Sequence, residues 1–218
     1  MTTTNITGPH QGQPILHRGK PLNEAKAAMI LVHRRGGSSH SIFQFINLPH
    51  PEIAYFAPQA GGNTWYPYSF LAPIPQNEPG ISSGLQAIAD LVEHIEAAGI
   101  PTEKIILAGF SQGACLASEF AARNARRYGG LLLFSGGLIG PPGTPRNYDG
   151  SLDGTPVFIG CSDVDFHIPV ERVEETAVTL THLGASVNKK IYPGMGHTII
   201  QDEIDHAQQI VNNLLATD

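Results

Sequence analysis

Apolar residues gather in short runs along the chain. Residues 27–33 (AAMILVH), 53–57 (IAYFA), 104–108 (KIILA), 130–134 (GLLLF), 156–160 (PVFIG) and 186–192 (SVNKKIY) read as strands. The first five show almost no polar alternation, the mark of strands covered on both faces. Between them, Ile81, Leu85, Ile88, Leu91, Val92 and Ile95 recur at helical spacing, and Gly99 offers a stop. Residues 112–127, 169–183 and 199–215 also read as helices, the second with Pro169 at its first position, and 39–47 as a short one. Strand and helix alternate, which predicts an α/β fold: a mostly parallel central sheet with helices on both faces. Residues 1–20 fall outside this pattern and read as an N-terminal tail or edge hairpin, leaving 21–218 as a single domain. In such sheets ligands bind beyond the carboxyl ends of the strands. The residues that follow each strand therefore carry the functional argument.

Composition narrows the picture. The chain has 218 residues, 41% hydrophobic and 15% charged, enough for one sizeable core and against disorder. Its net charge of −6 gives no footprint for nucleic acid or for an anionic membrane. The uncharged stretch 128–145 holds six Gly and three Pro, so it is not a membrane-spanning helix. Two cysteines build neither a disulfide framework nor a zinc spacing, and Cys115 and Cys161 are expected as buried small hydrophobes. The ten histidines form no H-x-H or H-E-x-x-H arrangement, so no metal and no cofactor is expected. The first residues lack an apolar signal region; a cytoplasmic location is expected, with the sequon at Asn5 idle.

One string stands out. Gly109-Phe110-Ser111-Gln112-Gly113 is G-x-S-x-G, lying directly after a predicted strand and directly before a predicted helix. A nucleophile elbow needs that context, because the serine sits on a sharp turn at the sheet edge and the glycines let strand and helix approach. A serine needs a base, and in this fold acid and histidine follow it in the chain. Of the later histidines, His182 and His206 fall in helical stretches and read as surface residues. His197 lies in a Gly-rich turn after the last strand, and His167 is the second candidate base. Asp163 and Asp165 both follow the strand 156–160, and residue chemistry alone leaves the acid open between them.

GFSQGA at 109–114, APQA at 57–60, SDVDFHIP at 162–169 and YPGMGH at 192–197 together make the sequence resemble the phospholipase/carboxylesterase branch of the α/β-hydrolases. That branch includes acyl-protein thioesterases and bacterial carboxylesterases, and the resemblance runs over about 27–215. It implies an α/β-hydrolase fold without a large lid domain, and a carboxylesterase that cleaves esters of small to medium acyl chain through an acyl-enzyme. Lysophospholipase or acyl-thioesterase activity is the alternative, and a non-catalytic binding protein on the same fold is a further one. A dienelactone-type enzyme would be expected to carry Cys at position 111. The resemblance assigns Ser111 as nucleophile and His197 as base. Laid without gaps from Pro156, the family's D-P-x-V-P falls on Asp165-Phe166-His167-Ile168-Pro169 and selects Asp165 as the acid, whereas counting G-x-x-D from Gly160 selects Asp163. By position, the backbone N–H groups of Arg35 and Gln112 form the oxyanion hole. Arg34 stands where the family usually has Gly; its side chain either points to water or draws an acidic substrate. Trp65, Tyr66 and Phe70, in the long loop 58–80, are candidate walls of the substrate pocket. The expected partner is a small-molecule ester, with no nucleic acid and no membrane span. The oligomeric state is left open, a homodimer being one option.

Overall fold

A computed structural model describes residues 8–216; the Asn5 sequon and the first residues of the N-terminal tail lie outside the described residues. The strands are β1 (Ile15–Gly19), β2 (Ala27–Val32), β3 (Ile53–Pro58), β4 (Ile105–Phe110), β5 (Gly130–Phe134), β6 (Pro156–Ser162) and β7 (Ser186–Tyr192). They form one sheet in the order β1-β3-β2-β4-β5-β6-β7. β1 runs antiparallel to β3, with Ile15 opposite Pro58 and Gly19 opposite Ala54. All the other pairs are parallel. The segment before residue 20 thus supplies an edge strand that covers the open side of β3.

The helices are α1 (Ile42–Phe45), α2 (Gly80–Ala97), α3 (Gln112–Arg123), α4 (Val170–His182) and α5 (Gln201–Ala216). Successive strand residues alternate between two apolar layers. Ala28, Ile30 and Val32 pack in the layer with α2, α3 and α4. Ala27, Met29 and Leu31 pack in the layer with α1 and α5. Both faces are therefore dry, which is why the strands read as continuous apolar runs. Two helices are shorter than their pattern. α1 keeps only four of the residues 39–47, because Ser38 and Ser41 bind each other's backbone N–H groups, at 3.1 and 2.8 Å, in competition with helical bonds. α3 ends at Arg123, where Asn124 leaves helical geometry.

β3 and β4 flank β2 on opposite sides, so the chain changes direction across the sheet between β2 and β4. The crevice beyond the carboxyl ends of these two strands is the expected ligand position. The connection from β3 to α2 runs over it, with short 3₁₀ turns at Gly61–Asn63 and Ile74–Asn77. Among the described residues, no helix is long and apolar enough to cross a membrane.

Candidate active site

Ser111 sits between β4 and α3 with φ 57° and ψ −120°, a conformation that costs a residue with a Cβ roughly 1–3 kcal/mol. The two glycines of the motif make this turn possible. A Cβ on Gly109 would stand 2.5 Å from the backbone of Gly113, and a Cβ on Gly113 would stand 2.0 Å from the carbonyl oxygen of Val32. Both contacts are with backbone, so neither can be relieved by a rotamer change. The result lifts the Ser111 hydroxyl off the end of β4, at the start of a helix whose first N–H groups are free to meet an anion.

Three residues from three loops join at this point. His197 Nε2 lies 2.9 Å from Ser111 Oγ, and His197 Nδ1 lies 2.6 Å from Asp165 Oδ2. Asp165 Oδ1 accepts the backbone N–H groups of His167 and Ile168 at 2.8 and 3.1 Å. Burial pushes the Asp165 carboxyl up, but the bond to His197 and these two N–H groups together hold it below its ordinary value. An ionised carboxylate only accepts, so Nδ1 carries the imidazole proton and Nε2 is left to accept from the serine. Asp163 is exposed and does not reach His197; its Oδ1 accepts the N–H of Gly194 at 2.8 Å and ties the two loops together. His167 is exposed, with its ring edge-on to His197 at 4.8 Å and 65°. The His197 ring also stacks on Phe110 at 5.0 Å and 25°.

A cavity of about 350 Å³ opens over Ser111 and is lined by Arg34, Arg35, Tyr66, Phe70, Gln112 and Ile168, among others. The backbone N–H groups of Arg35 and Gln112 make no hydrogen bond among the described residues. Of the three aromatic pocket candidates, Tyr66 and Phe70 line the cavity and Trp65 does not. The Trp65 side chain is fully buried and donates its indole N–H to His33 O at 2.9 Å, which turns it into the core beneath the loop.

Several supporting side chains escaped the sequence reading. His33 is fully buried, and burial pushes its pKa down, so the neutral ring bridges Arg34 O through Nδ1 at 2.8 Å and Ala60 N–H through Nε2 at 3.0 Å. That bridge fixes the turn carrying Arg35. The Gln112 side chain accepts the Trp65 N–H at 2.9 Å and donates to Tyr66 O at 2.8 Å, clamping the 64–66 loop to the head of α3. His10 joins in from the N-terminal segment, bonded to Trp65 O at 2.8 Å and to Gly61 N–H at 3.0 Å. Glu203, in the first turn of α5, accepts the Ile200 N–H at 2.9 Å, which closes half of a capping box just beyond His197. Its other oxygen is buried without a hydrogen-bond partner among the described residues, and burial pushes its carboxyl up to about 7. The S/T-x-x-E cue for such a cap is incomplete here, since Ile200 replaces the Ser or Thr. Cys115 and Cys161 are free and buried, and burial pushes each thiol up to about 12. His206 is half-buried rather than fully exposed: its ring stacks on Phe158 at 5.4 Å and 19°, and its Nε2 lies 3.6 Å from Asp202 Oδ2.

A family model described as Phospholipase/Carboxylesterase matches residues 19–215. The chain belongs to the phospholipase/carboxylesterase family. A crystal structure of a phospholipase/carboxylesterase from Dyadobacter fermentans superposes with a TM-score of 0.88 at 45% identity, covering 94% of this chain and 97% of that one. Acyl-protein thioesterase 1 of Debaryomyces hansenii is 27% identical over 88% of this chain and 92% of its own length. A probable carboxylesterase of Oryza sativa subsp. japonica is 27% identical over 65% of this chain, and the match spans little more than half of that relative's length, 53%. The fold is that of the α/β-hydrolases, and the family is one of esterase- and thioesterase-type hydrolases. At the two positions where the chain departs from the family's usual residues, the outcomes differ. Arg34 does not take a positive φ and is unstrained. Phe166 is 96% exposed, beside the site rather than in it.

Proposed function

We propose that this protein is a serine hydrolase that cleaves carboxylic esters of small to medium acyl chain through an acyl-enzyme. The observation that carries the reading is the hydrogen-bonded series Ser111–His197–Asp165 at a strained strand-to-helix turn. Ser111 Oγ attacks the ester carbonyl while His197 Nε2 takes its proton. Asp165 holds the imidazole in the required tautomer and stabilises the imidazolium that forms. The carbonyl oxygen, now an oxyanion, receives the N–H groups of Arg35 and Gln112, each donor contributing roughly 2.7–4 kcal/mol in comparable sites. His197 then protonates the departing alcohol. A water, deprotonated by the same imidazole, releases the acid and restores Ser111. The cavity of about 350 Å³ lies at the small end of ligand pockets, which favours short acyl chains over lipid-length ones. Thioester hydrolysis is the second reading. It uses the same steps, and several relatives of this chain are named acyl-protein thioesterases.

The test has two parts. A fluorophosphonate probe should label the wild type at Ser111 and leave Ser111→Ala unlabelled. A series of p-nitrophenyl esters from acetate to palmitate should then give kcat/KM highest at short or medium length. No labelling would favour a binding protein on this fold, and a maximum at palmitate would refute the chain-length assignment.

A further inference from the structure

We infer that the pocket selects esters bearing a free carboxylate, and that the Arg34 guanidinium recognises it. The inference rests on the serine-hydrolase reading above and names a substrate class within it.

The chain carries a net charge of −6, yet Arg34, Arg35, His167 and His197 line the cavity and no Asp or Glu does. Asp165 lies close by, but its side chain is fully buried and engaged by His197. A concave site lined by one sign of charge concentrates ligands of the other sign. The two arginines play different parts. Arg35 donates to Pro67 O at 2.8 Å and Tyr68 O at 2.6 Å, which holds the loop over the pocket. Arg34 spends one terminal nitrogen on Arg35 O at 3.0 Å, and its other donors have no partner among the described residues. Neither is ion-paired among the described residues, whereas Arg123, Arg126, Arg146 and Arg172 each pair with a glutamate.

Arg34 is also held in place. Its guanidinium lies 5.2 Å over the ring of Phe45. Phe45 stacks on Phe110 at 5.3 Å, and Phe110 stacks on His197 at 5.0 Å. The cation is thus linked by ring contacts to the imidazole beside Ser111, and Arg34 and Ser111 line one cavity. A fixed guanidinium with free N–H donors presents a planar fork suited to a carboxylate. Because Arg34 and Ser111 line the same cavity of about 350 Å³, a substrate with its carbonyl at Ser111 can present a carboxylate to the guanidinium without leaving that cavity.

The experiment compares matched pairs by pH-stat at low salt. Monomethyl adipate is set against methyl hexanoate, with the carboxylate on the acyl side. The 4-acetoxybutanoate anion is set against butyl acetate, with the carboxylate on the alcohol side. At least one pair is expected to show a tenfold or greater kcat/KM preference for the anion, expressed mainly in KM. The preference should shrink as salt rises, because the charges are partly exposed. The ratio should fall at least fivefold in Arg34→Gln and less in Arg34→Lys, with both variants folded by circular dichroism. A ratio near one for both pairs in the wild type, or a ratio unmoved by Arg34→Gln, overturns the inference. Faster turnover of a lysophospholipid than of either half-ester overturns the carboxylate assignment. Cleavage of neutral esters with no anion preference leaves the hydrolase reading standing, whereas failure to cleave any ester with Ser111 unlabelled removes that reading itself.

Discussion

Replacing Asp165 by Asn is expected to lower kcat by about 10⁴, or about 5.4 kcal/mol at about 1.36 kcal/mol per tenfold. The structure shows why an isosteric amide cannot substitute. The carboxylate serves three donors, His197 Nδ1 through one oxygen and the N–H groups of His167 and Ile168 through the other. In one orientation Asn keeps its carbonyl on the two backbone N–H groups and turns its NH₂ toward His197. Nδ1 then accepts, the ring proton moves to Nε2, and the ring no longer has a lone pair for the Ser111 proton. In the flipped orientation the carbonyl serves His197, but two backbone donors face the NH₂ group and lose their acceptor, which costs up to about 1–3 kcal/mol at the part-buried Ile168 N–H and less at the exposed His167 N–H. Both orientations disable the base or strain its loop. Asp163→Asn is expected to cost no more than about tenfold, since the Asn carbonyl can still accept the Gly194 N–H. Steady-state kinetics of both variants on p-nitrophenyl butyrate decide the matter, with fold checked by circular dichroism. A large kcat loss in Asp163→Asn beside an active Asp165→Asn would refute the reasoning.

Gly113→Ala places a methyl 2.0 Å from Val32 O and 2.8 Å from His33 O, so the variant should lose at least about 3 kcal/mol, a Tm fall of about 6–12 °C by calorimetry for a chain of this size; a Tm within 2 °C of wild type would contradict the packing argument. Burial holds the Glu203 carboxyl at about 7 against an ordinary 4.5, so the folded state keeps its proton longer than the unfolded one. Below about pH 4.5 both states are protonated and nothing is lost; stability then falls as pH rises, by about 3 kcal/mol once pH passes 7. Glu203→Gln should flatten that slope and be more stable than wild type at pH 8 in urea titrations, and equal slopes would show that the residue does not titrate as described. Cys115 lines the cavity, yet burial pushes its thiol up to about 12; iodoacetamide at pH 8 should leave it unmodified in the native protein over an hour by mass spectrometry, and rapid alkylation would speak against its burial.

Much of this protein was legible in the sequence because local patterns encode it. The uninterrupted apolar runs implied strands dry on both faces, and the sheet is covered on both. The glycines of the motif around Ser111 implied a close approach of strand and helix, and the backbone contacts at Gly109 and Gly113 are of that kind. The parity of Asp163 and Asp165 could not be broken from residue chemistry, because two carboxylates two positions apart in a turn point wherever the turn sends them. The fold sends one to Gly194 N–H and the other to His197 Nδ1. Trp65 looked like a pocket wall, but its N–H found a carbonyl more than thirty residues away in sequence, at His33. The ring contacts that link Arg34 through Phe45 and Phe110 to His197 draw on four separate segments. The Glu203 oxygen that has no partner among the described residues is packed by α5 against Gly160. Periodicity and turn chemistry act over a few residues and are written in the sequence; side-chain direction, burial and protonation depend on neighbours that only the closed sheet brings together.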